Sequence, residues 1–165
     1  NKKIISISLR KRIKPKLNFN LKLVKLKREK PEYKNLKYRK ILSYLSKMDN
    51  SQSDIGLVFN KRLLETGTSN LLFVKDQKFF TPKKGYYEGN TYKFFKSKIK
   101  KIIKKDILLK EINDYDEILL LGSGKGVASV RTINEIKWRR KNLEKFRLLS
   151  KHYNTVINKC NSYRF

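Results

Sequence analysis

Four short apolar runs crowded into residues 55–82 constrain the fold of this chain more than any other feature of its sequence. They occupy residues 55–59, 62–65, 71–75 and 78–81. Runs of this length are typical of strands when turn residues such as Asp76-Gln77 separate them, and Pro82 ends the last run. The pattern therefore predicts strands of an antiparallel sheet.

Further strands are predicted on both sides of this region. Apolar and polar residues alternate across residues 4–12 and again across residues 20–27, which is the period of a half-buried strand. Residues 117–121 form an apolar run that leads into a glycine-rich segment. Strand character then resumes over residues 127–133.

Three segments carry the spacing of amphipathic helices. Apolar residues recur at helical intervals over residues 38–48 and over residues 91–105. The lysines of the second segment lie mostly off its apolar stripe, so we expect a solvated basic face. A basic helix is also predicted over residues 140–152. Because no internal repeat or low-complexity linker appears, strands and helices are expected to mix in one α+β domain.

The composition predicts a folded domain. The chain has 165 residues, of which 39% are hydrophobic, and its 9 Tyr and 9 Phe can build a core. No apolar run approaches the length of about 18 residues typical of a membrane span, and no signal-peptide pattern appears, so we expect neither a membrane partner nor secretion. A single cysteine, Cys160, cannot form an internal disulfide, which agrees with a cytoplasmic location.

The net charge of +28 raises the question of nucleic-acid binding, because clustered Lys and Arg gain affinity for phosphates by releasing counterions. Here 42 basic residues face 14 acidic ones, but 32 of them are Lys and only 10 are Arg, and they run through every segment. An ordinary enzyme whose overall composition is biased towards lysine would have the same high net charge on its surface. A basic nucleic-acid-binding domain therefore stays as a distant alternative, and no specific nucleic-acid partner is expected.

Residues 122–126, with the sequence Gly-Ser-Gly-Lys-Gly, form the most visible motif. A Walker A loop needs Ser or Thr after its Gly-Lys pair, where this sequence has Gly126. A dinucleotide fingerprint also fails, because the next element has strand character. The segment is either a plain tight turn or a strand-ending turn whose amides and Ser123 hydroxyl bind a phosphate or carboxylate.

Two further segments have both a structural and a functional interpretation. Gly89-Asn90-Thr91 precedes the second predicted helix, so its amides either bind an anion or simply cap the helix. Glu65 is either a turn residue or a functional carboxylate. His152 has no other His and no Cys at a ligand spacing, so no metal site is expected and a surface position is favoured.

Together these segments resemble the class IV aminotransferases, which are pyridoxal-phosphate enzymes of fold type IV. Four motifs occur in the family's order, and four in order are more specific than any one alone. The first is the segment Leu64 to Asp76, followed by Phe80-Thr81-Pro82, which resembles the family's E-x-x-x-x-N-hydrophobic-F run and the strand end after it. Residues 88–91 resemble its P-G-I-T phosphate turn, and residues 116–118 resemble its A-D-E-V strand. Gly122-Ser123 with Val130 resembles its G-T…P-V segment.

The resemblance implies the residues of a pyridoxal-phosphate site. Lys34 takes the position of the family's Schiff-base lysine, and Tyr38 that of a residue that often contacts the cofactor ring. Lys37 stands where the family usually has Asn and is a second candidate nucleophile. Glu65 would keep the pyridine nitrogen protonated. The phosphate would be held by Gly89, Asn90, Thr91, Ser123 and Gly124.

The resemblance also implies the architecture of the family's large domain, a bent and mostly antiparallel sheet approaching a barrel, with helices outside and the cofactor in its mouth. Residues 1–14 are similar to the last strand of the small N-terminal domain that usually comes first, and residues 15–165 to the large domain. We therefore expect the chain to be either the C-terminal portion of a longer protein or a truncated form of such a protein. Family members are generally homodimers, and the positive field would draw in an anionic cofactor and a small anionic substrate.

Within the family, the sequence is more similar to the lyase and D-amino-acid branches than to the branched-chain branch. Lys34-Asn35-Leu36 has their K-x-L pattern instead of paired glycines, and residues 131–140 lack a glycine-rich stretch. We therefore expect 4-amino-4-deoxychorismate lyase activity, which releases pyruvate and leaves 4-aminobenzoate for folate synthesis. A class IV aminotransferase of the D-amino-acid or branched-chain type is the alternative.

Overall fold

The computed structural model describes residues 14–35 and 37–159. The strand predicted over residues 4–12 and Cys160 lie outside these ranges. The strands are β1 (Phe19–Lys25), β2 (Ser53–Phe59), β3 (Arg62–Thr66), β4 (Asn70–Lys75), β5 (Lys78–Pro82), β6 (Ile102–Lys105), β7 (Glu117–Gly122), β8 (Gly126–Ile133) and β9 (Trp138–Arg139). The helices are α1 (Arg39–Leu45), α2 (Asn90–Lys98) and α3 (Glu144–Lys159), with short 3-10 helices at Leu109–Asp114 and Asn134–Ile136.

All of these strands belong to one curled sheet. Its order is β3-β2-β1-β8-β7-β4-β5-β6, with β9 beside β8. Neighbours are antiparallel except for the β1–β2, β1–β8 and β5–β6 pairs, which are parallel. The two ends of this order meet, because the Leu63 amide of β3 donates to the Ile107 carbonyl just beyond β6, at an N···O distance of 2.9 Å. The predicted α+β fold, with a bent and mostly antiparallel sheet approaching a barrel, is confirmed.

Side chains alternate between the two faces of this sheet, and each face is covered. Leu71 and Phe73 of β4 belong to the main core, together with the buried ring of Trp138. Leu72 and Val74 point the other way and pack against α2 and α3. The predicted position of the helices outside the sheet is therefore found for the described part of the chain.

Two hairpins of the sheet turn through left-handed residues. Asn60 and Lys61 join β2 to β3 with φ of 48° and 58°, and Asp76 and Gln77 join β4 to β5 with φ of 50° and 62°. Two-residue loops with both φ values positive match the right-handed twist of the strands they connect. Asn and Asp at the first position of each loop tolerate this conformation better than other non-glycine residues. The turn predicted at Asp76-Gln77 is thus found.

The helix predicted over residues 91–105 is wrong in its second half. The observed helix α2 ends at Lys98, and Ile99 is already extended, with φ −86° and ψ 120°. Ile102 and the residue after it instead form β6, which pairs in parallel with β5. The apolar residues fit both periods, and the β-branched isoleucines are better placed on a pleated surface than in a helix.

The last helix is also displaced from its predicted range of residues 140–152. The Arg140 amide still donates to the Arg131 carbonyl of β8 at 2.9 Å, so the chain stays paired to the sheet beyond β9. α3 begins only at Glu144, where the buried Glu117 side chain of β7 accepts the amides of Lys145 at 2.7 Å and Phe146 at 2.9 Å. A carboxylate from a distant strand thus supplies the cap that a neighbouring residue usually supplies.

We expect Glu117→Ala to lower the free energy of unfolding by about 1–3 kcal/mol, because two amides of α3 lose their acceptor in a buried place. Burial raises the pKa of Glu117. The two amide hydrogen bonds oppose this shift because they favour the ionised carboxylate. Urea unfolding measures the loss, and amide exchange locates it in α3. Glu144→Ala, an exposed acid in the same helical turn, is the control and should stay within about 0.5 kcal/mol of wild type; an equal loss in both variants would contradict the capping role.

Within the described ranges, no helix combines the length and the apolar composition needed to cross a bilayer.

His152 is exposed, as predicted, and its ring stacks on Phe94 with centroids 5.7 Å apart. The lysines of α2 and β6 are largely exposed, although Lys96 and Lys104 both bind the Glu88 carboxylate, at 3.3 Å and 3.1 Å. Partial burial raises the pKa of Glu88, but these two lysines outweigh it and the pKa is lowered.

Candidate functional site

A cavity of about 360 Å³ opens where α1, the N-terminus of α2 and the ends of β3, β4 and β7 come together. Its volume falls in the range of small-molecule sites. The eight residues that the sequence singled out for a cofactor site all line it. They are Lys34, Tyr38, Glu65, Gly89, Asn90, Thr91, Ser123 and Gly124. Segments that are far apart in the chain therefore meet at one place, while the roles of these residues stay predictions.

The two lysines near α1 differ in their surroundings. Lys34 is exposed and lines the cavity, and within the described ranges its amine makes no hydrogen bond or ion pair. Lys37 does not line the cavity, and its Nζ lies 2.7 Å from the Glu29 carboxylate. The hydrogen bond and charge of Glu29 raise the pKa of Lys37, which favours the protonated and non-nucleophilic form. The geometry thus favours Lys34 over Lys37 as a nucleophile.

Glu65 is the buried acid of the cavity. Its carboxylate accepts the Arg28 Nε–H at 2.8 Å and the Tyr87 amide at 3.4 Å. Burial raises the pKa of Glu65, and the charge and hydrogen bond of Arg28 act in the opposite direction. The Arg28 guanidinium is itself buried and lies 4.8 Å from the centre of the Tyr38 ring. Because arginine keeps its charge when buried, it favours an ionised acceptor at this wall of the cavity.

Asn70, the first residue of β4, fixes the turn that leads into α2. Its Nδ2 donates to the Tyr87 carbonyl at 2.6 Å, and its Oδ1 accepts the Gly89 amide at 3.0 Å. Gly89 stands at the N-cap and has no side chain with which to cap the helix. The first amides of α2, those of Asn90 and Thr91, therefore border the cavity without a partner inside the helix, and the helix dipole adds positive potential there.

The glycine-rich turn between β7 and β8 forms another wall of the cavity. Ser123 and Gly124 are exposed and line it, and the Lys125 amide closes the turn on the Gly122 carbonyl at 3.1 Å. Gly122 packs tightly against the loop between β3 and β4, since a Cβ there would lie only 2.5 Å from Ser69 Oγ. The turn is therefore part of a built cavity wall, and its exposed amides can receive an anion together with those of α2.

The contrast between two glycines of this turn gives a paired prediction. We expect Gly122→Ala to lower the free energy of unfolding by about 1–3 kcal/mol, because the added Cβ would also lie 3.1 Å from the Thr68 carbonyl oxygen and the two loops must separate. Gly124→Ala should have almost no effect, since a Cβ there meets no atom within 4 Å. Urea unfolding of the two variants tests this, and equal stability of both would contradict the close approach.

Sequence reasoning missed three features of the site. Arg28 lies in a lysine-rich stretch where nothing in the sequence separates it from its neighbours. Asn70 belongs to a motif of the sequence, but the motif does not indicate its contact with the turn before α2. The third feature is a buried ion pair between Asp54 and Lys125, with a distance of 3.0 Å. Among the described residues, no group of three or more His, Cys, Asp or Glu side chains is placed to hold a metal.

Comparison with known proteins identifies relatives of this fold. The sequence profile of the amino-transferase class IV family matches residues 7–133. No curated protein matches the sequence. Among solved structures, the chain is similar to a 4-amino-4-deoxychorismate lyase from Pseudomonas aeruginosa, with a TM-score of 0.68 and 19% identity over 83% of this chain and 55% of the other.

Two branched-chain aminotransferases are similarly close. The Thermoproteus uzoniensis structure gives a TM-score of 0.72 at 15% identity, over 87% of this chain and 52% of that one. The Thermobaculum terrenum structure, which is in its PLP form, gives 0.72 at 18% identity, over 85% of this chain and 51% of that one. The chain thus spans about half the length of these structures, and at such identities they show a shared fold.

The family profile covers most of the chain, and the structure has the curled sheet of the solved relatives. Three of the motifs that carry the resemblance, at residues 65–70, 89–91 and 122–123, contribute to the lining of one cavity. This chain belongs to the class IV aminotransferase family, whose members are pyridoxal-phosphate-dependent enzymes.

Proposed function

We propose that this chain is the cofactor-binding part of a pyridoxal-phosphate-dependent 4-amino-4-deoxychorismate lyase. One observation supports the cofactor most directly: an exposed lysine, a buried acid and two segments with free amides line a single cavity. This set is complementary to pyridoxal phosphate, which has an aldehyde, a ring nitrogen and a phosphate. The K-x-L pattern that begins at Lys34 supports the lyase over the branched-chain aminotransferases.

The residues present fit this cofactor. The amides at the start of α2 and those of Ser123 and Gly124 would hold the phosphate, and Glu65 would receive the protonated ring nitrogen. The amine of Lys34 would reach the aldehyde. When bound, pyridoxal phosphate supplies a ring that withdraws electrons from the substrate carbon bearing the amino group.

Lys34 would move the protons of the reaction. Its amine takes the proton from the substrate carbon that carries the amino group, and it returns a proton to the leaving group as pyruvate departs. This role needs a neutral amine for part of the cycle. The absence of a carboxylate partner for Lys34 within the described ranges suits such a role, whereas the Lys37–Glu29 pair does not.

Glu65 and Arg28 would act as one unit on the ring nitrogen. An ionised Glu65 stabilises the protonated pyridine, and Arg28 favours that ionised form at 2.8 Å. Glu65→Gln should therefore weaken the reaction more than it weakens binding, because an amide cannot take up the charge of the ring nitrogen.

A product assay separates the lyase from an aminotransferase. The full-length protein is loaded with pyridoxal phosphate and is offered 4-amino-4-deoxychorismate, or amino acids together with 2-oxoglutarate. We expect pyruvate and 4-aminobenzoate from the first substrate without any amino acceptor. Glutamate formed from the amino-acid mixture, with no pyruvate from the first substrate, would contradict the lyase and support the aminotransferase.

The proposed partners follow from charge and from the resemblance to the family. A net charge of +28 favours small anionic substrates by raising their local concentration. We further propose a homodimer, which light scattering of the full-length protein would test. A monomer at micromolar concentration would contradict this assembly without affecting the proposed chemistry.

A further inference from the structure

One cation of the glycine-rich turn is buried. Lys125 is 4% exposed, although it lies two residues after the exposed Ser123. Its Nζ is 3.0 Å from Asp54 Oδ2 and 3.0 Å from Thr68 Oγ1, and it lies 4.7 Å from the centre of the Phe19 ring. Because lysine is almost never fully buried unless it is paired, this position calls for a physical reason.

Asp54, the partner of Lys125, is fully buried, and both of its carboxylate oxygens accept hydrogen bonds. Its Oδ1 accepts the amide of Ile55 at 2.8 Å. Its Oδ2 accepts the hydroxyls of Thr66 at 2.9 Å and Thr68 at 2.6 Å, in addition to the lysine. The network therefore joins the start of β2, the loop between β3 and β4, and the turn between β7 and β8.

The β3–β4 loop and the β7–β8 turn are adjacent parts of the cavity lining. The β3–β4 loop begins two residues after Glu65, and the β7–β8 turn carries the amides of Ser123 and Gly124. The loops touch at Gly122, where a Cβ would be 2.5 Å from Ser69 Oγ. The ion pair, through Thr68, thus connects the loop that comes after the carboxylate to the turn that carries these amides.

We infer that Lys125 and Asp54 are positioning residues, which hold the glycine-turn amides at the spacing from Glu65 that the anionic cofactor requires. This inference rests on the proposed function, since it assigns an anion to those amides. Neither side chain touches the cavity itself; they act through Thr68 and through the backbone of the turn. A buried ion pair usually adds little net stability compared with well-packed neutral side chains. We therefore assign this pair to positioning the turn and not to stabilising the fold.

The double variant Asp54→Asn/Lys125→Met separates positioning from stability. Lys125→Met alone leaves a buried unpaired carboxylate, so its unfolding midpoint should fall sharply. The double variant has no unpaired charge and should regain most of the midpoint. If the pair positions the turn, the double variant should bind pyridoxal phosphate and inorganic phosphate roughly 10- to 100-fold more weakly than wild type, although its stability is regained. The exposed Lys75–Asp114 pair, replaced in the same way, is the matched control and should keep wild-type affinity.

Two readouts complete the test. Calorimetry measures the affinity for both anions, and exchange of the residue 125 amide, which donates to the Gly122 carbonyl at 3.1 Å, reports the rigidity of the turn without any ligand. Faster exchange together with weaker binding in the double variant supports the inference, and recovery of wild-type exchange and affinity along with stability overturns it. If the wild-type protein binds neither anion, the proposed function is wrong. The amide exchange rate in the turn then tests separately whether the ion pair holds the turn in place.

A milder substitution keeps the test decisive if the double variant does not fold. Thr68→Val removes the hydroxyl that links the ion pair to the β3–β4 loop and leaves both charges in place. We expect faster exchange of the Lys125 amide and a smaller loss of phosphate affinity than in the double variant. Wild-type exchange and wild-type affinity in Thr68→Val would overturn the inference.

Discussion

Replacing Lys34 with Ala is expected to abolish covalent attachment of pyridoxal phosphate and to lower the activity of the full-length protein by roughly 10⁴-fold. Among the described residues, Lys34 is the one lysine that lines the cavity, so no other amine there can take its place. Its side chain is exposed, and the free energy of unfolding should change by no more than about 0.5 kcal/mol. The visible absorbance of the loaded protein, and peptide mapping after borohydride reduction, measure the attachment.

Lys37→Ala is the matched control for this result. Lys37 is also exposed and only three positions further on, but it faces Glu29 instead of the cavity. The variant should keep the visible absorbance and the reduced cofactor on Lys34. Retention of that absorbance by Lys34→Ala, or mapping of the cofactor to a different lysine, would contradict the assignment.

Arg28→Leu is expected to cause the largest loss of stability among single substitutions in the cavity. It leaves the buried Glu65 carboxylate without its partner at 2.8 Å, and removal of one member of a buried pair costs about 3–5 kcal/mol. Replacing both residues by Leu should restore most of this loss, because no charge then stays buried alone. Urea unfolding of the single and double variants gives the comparison, with Arg147→Leu, an exposed arginine of α3, as the control.

This loss should depend on pH in a definite direction. Burial raises the pKa of Glu65 above its unfolded value, and without Arg28 the pKa rises further. A carboxyl with a raised folded pKa favours the fold below its unfolded pKa, and this contribution is lost as pH rises through the folded pKa. Arg28→Leu should therefore be much less destabilised at about pH 5 than at about pH 8. A loss that is constant over this range would show that Glu65 is not left unpaired.

The strands and the site motifs could be predicted from the sequence because their signals are local. The apolar runs around Asp76-Gln77 have the period of a strand, and Glu65 and Asn70 stand at fixed spacing in one short segment. The residues 102–105 could not be assigned in this way, since their isoleucines fit a helix and a strand equally well. Pairing with β5, a contact made outside the segment, decides between the two.

The partners of the site residues could not be predicted for the same reason. Arg28 and Glu65 are brought together by the pairing of β1, β2 and β3, and nothing in the local sequence records that contact. Lys125 was one of 32 lysines, and a charge count treats it as surface. Only the approach of Asp54 from another strand explains why this lysine is buried.

The closure of the sheet also bears on how the protein acquires its cavity. Leu63 bonds to Ile107, and Phe19 of β1 pairs with Val130 of β8, so the contacts that close the sheet join distant parts of the chain. Such contacts form slowly, because the intervening chain must lose its freedom first. A partly assembled chain lacks the cavity, and an anion bound in the finished cavity draws the population towards the native state by mass action. Binding of such an anion would therefore be thermodynamically linked to closure of the sheet.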